Sequence, residues 1–242
     1  MSLDSSDMRE GPPDFEHSYS TAGARRALAY EQRAVMELLG PLRPGVLLDV
    51  GTGMGRLINF PPPPEVVGTD PSERDLRSAQ SRYAGDGSKH FVQAAVDSLP
   101  FRDDAFDAVI SIRTIKSADD PESAVSEMAD VTRPGGRLVL DVSNKFSAAA
   151  VLRRVQSWLR IRTPSGAYFS RADALRMVSS VGLTPFMTKP LFKVDPLLWR
   201  LARSERLVGV VERVERLLDG RTGAWFTSRY VAIACEKPFS GA

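Results

Sequence analysis

Between Thr21 and Leu39 the residues Ala27, Leu28, Glu31, Val35, Leu38 and Leu39 recur at helical spacing, which predicts an amphipathic helix that Gly40-Pro41 and Pro44-Gly45 stop. The period then changes. Val46-Leu47-Leu48-Asp49-Val50 is a near-continuous aliphatic run that breaks into Gly51, Gly53 and Gly55, the pattern of a buried parallel strand, a tight loop and a helix start. That helix must be short, because Pro61 to Pro64 cannot continue it. A second strand follows at Glu65–Thr69. Ser72, with Glu73 and Asp75 in the first turn, caps a helix running to about Tyr83. His90–Ala95 reads as strand three, Val96–Phe101 as a turn and Phe106–Ile112 as strand four. A helix over Pro121–Thr132 ends at the stop signal Arg133-Pro134-Gly135-Gly136, and Arg137–Val142 is strand five. Strands and helices alternating at these intervals define a doubly wound α/β sheet.

Beyond strand five the pattern exceeds what a minimal sheet needs. Phe146 to Ile161 places Val151, Leu152, Val155, Trp158 and Leu159 at helical spacing with Arg153, Arg154 and Arg160 between them. A further helix begins at Ser170 and stops at Gly182, before strand six at Leu183–Lys189. About forty residues then intervene before strand seven at Arg229–Glu236. They carry Leu197, Leu198 and Trp199, and a 3–4 spaced stripe of Leu207, Val210, Val211, Val214, Leu217 and Leu218. Such helices pack on each other as a lid, and cationic, apolar helices also lie on membrane surfaces. Residues 1–18 read as a flexible tail and 19–242 as one domain, with lid elements at about 145–168 and 190–228.

Composition narrows the class. At 242 residues, 43% hydrophobic and 26% charged, the chain has ordinary globular composition, and no apolar run reaches the ~20 residues that span a bilayer. Met1 to Phe15 lacks the charged-then-apolar order of a leader, which points to a cytoplasmic protein. The single cysteine, Cys235, sits in a strand pattern and reads as a buried thiol, and with only His17 and His90 a metal centre is not expected. The net charge of +2 conceals an asymmetry. Lys145 to Arg229 holds sixteen Lys/Arg against six Asp/Glu, and the remainder holds sixteen against twenty-four. The basic segment is therefore the lid segment.

The chemistry centres on the glycine loop. A dinucleotide fingerprint counted from Gly51 needs its third glycine at position 56, which is Arg56; here that glycine falls one place early, at Gly55. Glycines in such a loop let backbone N–H groups face a ligand. Asp49, two residues before the loop, is placed to receive a cationic group. Asp70, at the end of the second strand, is placed to accept ribose hydroxyls. Each acid also has a structural reading: Asp49 as a tie for the loop, Asp70 as a helix cap, Asp97 as a turn residue.

Taken with Asp97-Ser98-Leu99-Pro100-Phe101, the segment Asp103–Val109 and Arg133-Pro134-Gly135-Gly136-Arg137-Leu138, this arrangement resembles class I S-adenosylmethionine-dependent methyltransferases, in particular the subgroup that includes ubiquinone and menaquinone biosynthesis enzymes. The resemblance covers roughly Leu38 to Ser143. It implies a seven-stranded Rossmann-like methyltransferase sheet with lid insertions after strand five and between strands six and seven. It also implies S-adenosylmethionine as cofactor. Asp49, Gly51, Thr52, Gly53 and Gly55 would frame the methionine part, Asp70 and Pro71 the ribose, Asp97 and Ser98 the adenine, and Ile112, Arg113 and Thr114 the sulfonium end.

Where relatives often carry histidines after strand four, this chain has Ile115-Lys116-Ser117. Methyl transfer asks mainly for in-line alignment, so that absence is tolerable. His17, Tyr19, Tyr168 and Asp141 are the catalytic candidates by inferred topology. The expected acceptor is a small apolar or amphipathic molecule, quinone- or lipid-like, with peripheral membrane contact through the basic lid. Competing readings are an RNA methyltransferase, a non-catalytic cofactor-binding protein and, disfavoured by the glycine register, an NAD-dependent dehydrogenase.

Overall fold

The computed structural model describes residues 19–41, 45–58, 65–159, 166–218 and 224–239. The expected tail, with His17, and the proline run Pro61–Pro64 lie outside the described residues. Helix α1 (Ala22–Leu39) opens where the Thr21 hydroxyl accepts the Ala24 N–H at 3.1 Å and closes at Gly40, whose φ of 62° no β-branched residue would tolerate.

Seven strands follow: β1 (Val46–Val50), β2 (Glu65–Asp70), β3 (Lys89–Gln93), β4 (Phe106–Ser111), β5 (Thr132–Ser143), β6 (Thr184–Leu191) and β7 (Tyr230–Glu236). They form one sheet in the order β3-β2-β1-β4-β5-β7-β6, parallel from β3 to β5, with β7 antiparallel to both neighbours. The order reverses between β1 and β4. In an open α/β sheet that reversal leaves a crevice at the carboxyl ends of the two strands.

Period-two alternation gives the sheet two buried faces. Leu47, Ala108, Ile110 and Val139 pack under α1, while Leu48, Val109, Leu138 and Ile233 pack under α3 (Pro121–Val131) and α5 (Arg171–Ser180). Helix α2 (Glu73–Arg82) begins at the expected Ser72 cap, whose hydroxyl accepts the Asp75 N–H. Cys235 is buried on the α3 face, and burial pushes its thiol up to about 12, so it is an inert structural residue.

Three local expectations are corrected. The described residues after β1, 51–58, form turns and not the start of a helix. The Gly51 and Thr52 N–H groups both donate to the Thr69 carbonyl at 2.8 Å, which folds the loop back onto β2. Next, β5 starts at Thr132, before the Arg133–Gly136 stop signal. Its pairing with β4 jumps from Phe106↔Thr132 to Ala108↔Arg137, and Gly135 (φ 73°) donates to Lys237, so the signal makes a bulge within the strand.

The third correction concerns the helices expected to form a lid, α4 (Ala148–Trp158), α6 (Pro196–Leu201), α7 (Glu205–Leu217) and α8 (Ala224–Thr227). Its apolar stripes are not buried against each other. Leu207, Val210, Val214 and Leu217 are exposed, as are Val151, Leu152, Val155 and Trp158 on α4. The inward face of α7 is Val208, Val211 and Glu215. The Glu215 carboxylate accepts from Lys193 Nζ at 3.1 Å and from the backbone N–H groups of Lys193 and Val194 at 3.0 and 2.9 Å. Three donors on one buried carboxylate fix the rotation of the helix and turn its apolar stripe outward. Helix α6 meanwhile closes on α1, with Gly23 N–H donating to the Ala202 carbonyl at 3.0 Å. A Cβ at Gly23 would overlap the Trp199 carbonyl.

Candidate functional site

The residues predicted to hold a cofactor meet at the carboxyl edge of β1, β2, β3 and β4. Gly51 and Gly53 both have positive φ, of 76° and 54°. At Gly51 the reason is proximity, because a Cβ there would overlap the Thr114 hydroxyl, which itself donates to the Val50 carbonyl at 3.1 Å. At Gly53 the nearest group that a Cβ would meet is the Asp70 carboxylate, 4.0 Å away, so the loop opens onto free space there.

The loop does not work as an array of free amides. Gly51 and Thr52 donate to Thr69, Gly53 donates to Asp70 Oδ2 at 2.9 Å, and Gly55 donates to Thr52 at 3.0 Å. The glycines therefore permit close approach and a tight turn, while their N–H groups hold the loop together. Asp70 is a tie as well as a candidate ligand group, since its other oxygen accepts the Ser72 N–H at 2.9 Å. Each carboxylate oxygen has a second lone pair for a hydroxyl. Pro71 follows at the strand end, its carbonyl accepting from Gln93. Asp97 and Ser98 lie in the turn after β3 at the same edge, where Ser98 N–H closes onto the Ala95 carbonyl.

Asp49 is 2% exposed, and its Oδ2 has no hydrogen-bond partner. Burial raises its carboxyl to about 6, with Thr52 and Arg56 pulling the other way. A buried acid with an unanswered oxygen beside an open glycine turn suits the cationic ammonium of an amino-acid ligand.

The other wall of the edge is built by a group that the helical pattern hid. Glu31 stands on the buried face of α1 and forms ion pairs with Arg56 of the glycine loop and, at 3.4 Å, with Arg113 after β4. Arg56 also donates to the Ile112 carbonyl at 3.0 Å. One carboxylate thus clamps the N-terminal helix to both sides of the crevice. An acid at an apolar position of an amphipathic helix was the sequence signal for it. Arg113 has a φ of 67°, and its N–H donates to Asp141 Oδ1 at 2.6 Å. Burial opposes the charge on its side chain, but the Glu31 carboxylate together with Tyr19 and Tyr230 outweighs this and holds Arg113 more basic than usual.

Beside this clamp lies a cavity of about 220 Å³ whose lining includes Tyr19, Leu28, Glu31, Met54, Arg113 and Phe192. It joins apolar walls to a few polar groups, the usual character of a small-molecule site. Of the four catalytic candidates, three are among the described residues. Tyr19 lines this cavity, Tyr168 lines a different one with Lys116 and Arg229, and His17 is outside the described residues. Asp141 lies beneath Arg113, 2% exposed, its carboxyl raised by burial to about 7 despite the Arg113 N–H.

Residues 48–140 match the sequence model of a family described as a methyltransferase domain. The demethylmenaquinone methyltransferase of Clavibacter sepedonicus is 31% identical over 134 residues, which cover 54% of this chain and 55% of the relative. A ubiquinone/menaquinone biosynthesis C-methyltransferase of Geobacter sulfurreducens is 32% identical over 143 residues, with the same two shares. The chain thus spans about half the length of these curated relatives. Among solved structures, a Thermotoga maritima protein described as an S-adenosylmethionine-dependent methyltransferase, "possible histamine N-methyltransferase", superposes with a TM-score of 0.64 at 21% identity, over 92% of this chain and 94% of that chain. At that identity the likeness is one of fold. Residues 48–140 thus match a methyltransferase domain, and the described chain has a seven-stranded Rossmann-like fold of the kind that this solved structure shows.

Proposed function

We propose that the chain is an S-adenosylmethionine-dependent methyltransferase acting on a small apolar or amphipathic acceptor. The observation that carries this reading is the juxtaposition, at one sheet edge, of the open turn at Gly53, the unanswered Asp49 carboxylate and the cavity walled by Leu28, Met54, Phe192 and Arg113. Asp49 would receive the cofactor's ammonium, Asp70 its ribose hydroxyls and the Asp97-Ser98 turn its adenine. Ile112 to Thr114 would border the sulfonium end. When bound, the cofactor supplies a methyl group already activated on a positively charged sulfur. The protein's share is then to align the acceptor and exclude water. Glu31 does the first by fixing Arg56 and Arg113 across the crevice, and α6, docked over α1 through Gly23, contributes to the second.

The acceptor's character follows from what surrounds the entrance. The lid helices present apolar side chains interleaved with arginines, a surface suited to drawing an amphiphile from an anionic membrane. Among the described residues no helix is long and apolar enough to cross a membrane, so the contact is peripheral. RNA, the main competitor, would find the arginines of α7 separated by the exposed aliphatic side chains Leu207, Val210, Val214 and Leu217 rather than by stacking aromatics.

The test is transfer of a labelled methyl group from S-adenosylmethionine by the purified chain in a cell extract, followed by separation into solvent-extractable, RNA and protein fractions. Label in the solvent-extractable fraction is expected. Label confined to RNA would replace this reading with the nucleic-acid one.

A further inference from the structure

A second cavity, of about 370 Å³, lies on the other side of the turn that follows β4. It is lined by Lys116, Arg153 and Arg229 together with Ser117, Ser143 and Tyr168, and no carboxylate is among its described lining residues. The three cations come from three distant places: the turn after β4, helix α4 and the residue before β7. Their wall is built rather than incidental. Ala167 N–H donates to the Lys116 carbonyl at 3.1 Å, and Phe169 N–H donates to the Ser143 carbonyl at 2.9 Å. The Arg229 backbone is held at both ends, by Phe192 at 2.8 Å and Asn144 at 3.1 Å. Gly166 approaches the Lys116 carbonyl so closely that a Cβ would stand 2.9 Å from it.

The described lining brings three cations to one cavity and no carboxylate to its wall. The Arg229 guanidinium lies over the Tyr230 ring at 5.8 Å and pairs with Asp195 only at 3.9 Å, beyond hydrogen-bond reach, while its Nη1 is buried without a hydrogen bond. Burial and the charges of Arg113, Arg229 and Arg153 lower the Lys116 ammonium from its ordinary value, against the pull of Asp141. Gathering cations in this way is costly, and an anion relieves the cost. Continuous with this cavity through Arg153, Gly166 and Tyr168 is a groove of about 380 Å³ walled by Ala150, Trp158 and the stems of Arg153 and Arg154. Charge at one end and apolar wall at the other match a single elongated ligand.

We propose that this paired cavity binds a phosphate-bearing amphiphile, with the phosphoryl group among Lys116, Arg153 and Arg229 and the apolar body along Ala150 and Trp158. The proposal rests on the transferase reading above only for the class of ligand, an amphiphile, and its binding test is independent of methyl transfer. Three cations and three hydroxyls answer the charge and oxygens of a phosphoryl group better than the single charge of a carboxylate.

The experiment is calorimetric titration of the full chain with octyl phosphate, neutral octyl glucoside (both kept below micelle formation) and pyrophosphate. It is repeated with Lys116→Gln and Arg153→Gln, and S-adenosylmethionine is titrated into all three proteins. Octyl phosphate is expected to bind more tightly than either other probe, and each substitution to weaken it by roughly tenfold, the loss of about one charge-assisted hydrogen bond. Melting temperature and cofactor affinity should stay as in the parent. Equal binding of octyl glucoside, or unchanged octyl phosphate affinity in both variants, overturns the proposal. Pyrophosphate binding as tightly as octyl phosphate overturns its amphiphilic half. Competition by vesicles containing phosphatidic acid identifies a membrane lipid as the source, and absence of competition a soluble phosphorylated molecule. Failure of the cofactor to bind while octyl phosphate behaves as expected would overturn the transferase reading and leave the pocket standing.

Discussion

At the carboxyl edge of β1 and β2 the backbone ties the loop to itself: Asp70 accepts from Gly53 and Ser72, and the Thr69 carbonyl from Gly51 and Thr52, which leaves the Asp49 Oδ2 as a buried carboxylate oxygen without a partner. The segment from Lys145 to Arg229 is the opposite. All but two of the exposed large apolar side chains among the described residues, Met36 and Phe239 being the exceptions, lie within it. It also holds sixteen basic residues against six acidic ones, where the rest of the chain is negative. The first region is closed upon itself and offers one defined opening. The second is left with both an apolar surface and an excess of positive charge, which are the features of a part that meets something else.

The contrast is tested hardest by cutting the buried tie that holds α7 to the end of β6. Glu215→Ala leaves Lys193, whose side chain is 3% exposed, buried without that carboxylate. A loss of about 3–5 kcal/mol is expected from removing one member of a buried pair. Hydrogen exchange should show it concentrated in α6 and α7, with β1 and β4 as protected as before. Uniform loss of protection across the sheet would mean that the lid is integral to the core and not an attachment.

Next in size is Asp70→Ala. It removes the tie to Gly53 and, on the proposed reading, charge-assisted bonds to the cofactor, each on the order of 1.5–3 kcal/mol. Affinity for S-adenosylmethionine should fall while the protein stays folded. Unchanged affinity would leave Asp70 as a brace for the loop and the Ser72 turn.

A proton linkage follows from Asp49. Its folded pKa lies above the ordinary carboxylate value, at about 6, because burial disfavours the charge. The carboxylate that pairs with an ammonium is therefore fully present well above pH 6 and is lost as pH falls through that value. Cofactor affinity should weaken by about 1.4 kcal/mol, or tenfold, for each unit below pH 6. Asp49→Asn should bind weakly at pH 7.5 and show no such dependence. A parent affinity flat between pH 7.5 and 5 would remove Asp49 from the site.

The smallest effect on stability, and the most informative about the lid, belongs to Val210→Ser with Val214→Ser. Both side chains are exposed, so the change in stability should stay within about 0.5 kcal/mol. Sedimentation with anionic vesicles should nonetheless drop, and raised salt should reduce what the parent binds. A parent that fails to sediment with anionic vesicles would remove the membrane from the picture.

How much of this could be read from the chain depended on distance in sequence. The Ser72 cap, the order of the strands and the acid at the end of β2 are local, and the structure places them where the residues predict, with the start of β5 at Thr132 as the exception. The doubly wound sheet follows from the same local alternation, while its seven strands are what the family resemblance implies. The rotation of α7 was hidden because an apolar stripe at 3–4 spacing looks the same whether it faces in or out. What decides it is Glu215 meeting Lys193, twenty-two residues away. Likewise Glu31 is legible only as an oddity on α1 until Arg56 and Arg113 are folded against it. The cluster of Lys116, Arg153 and Arg229 had no local signature at all, being assembled by the sheet from three separate crossings.

The most direct test of the glycine edge as a methyl-donor site is calorimetric titration of the intact chain with S-adenosylmethionine, its demethylated product and NAD. Binding of the first two with one site per chain, and no heat from NAD, is the predicted result. Binding of NAD with no response to S-adenosylmethionine would contradict it.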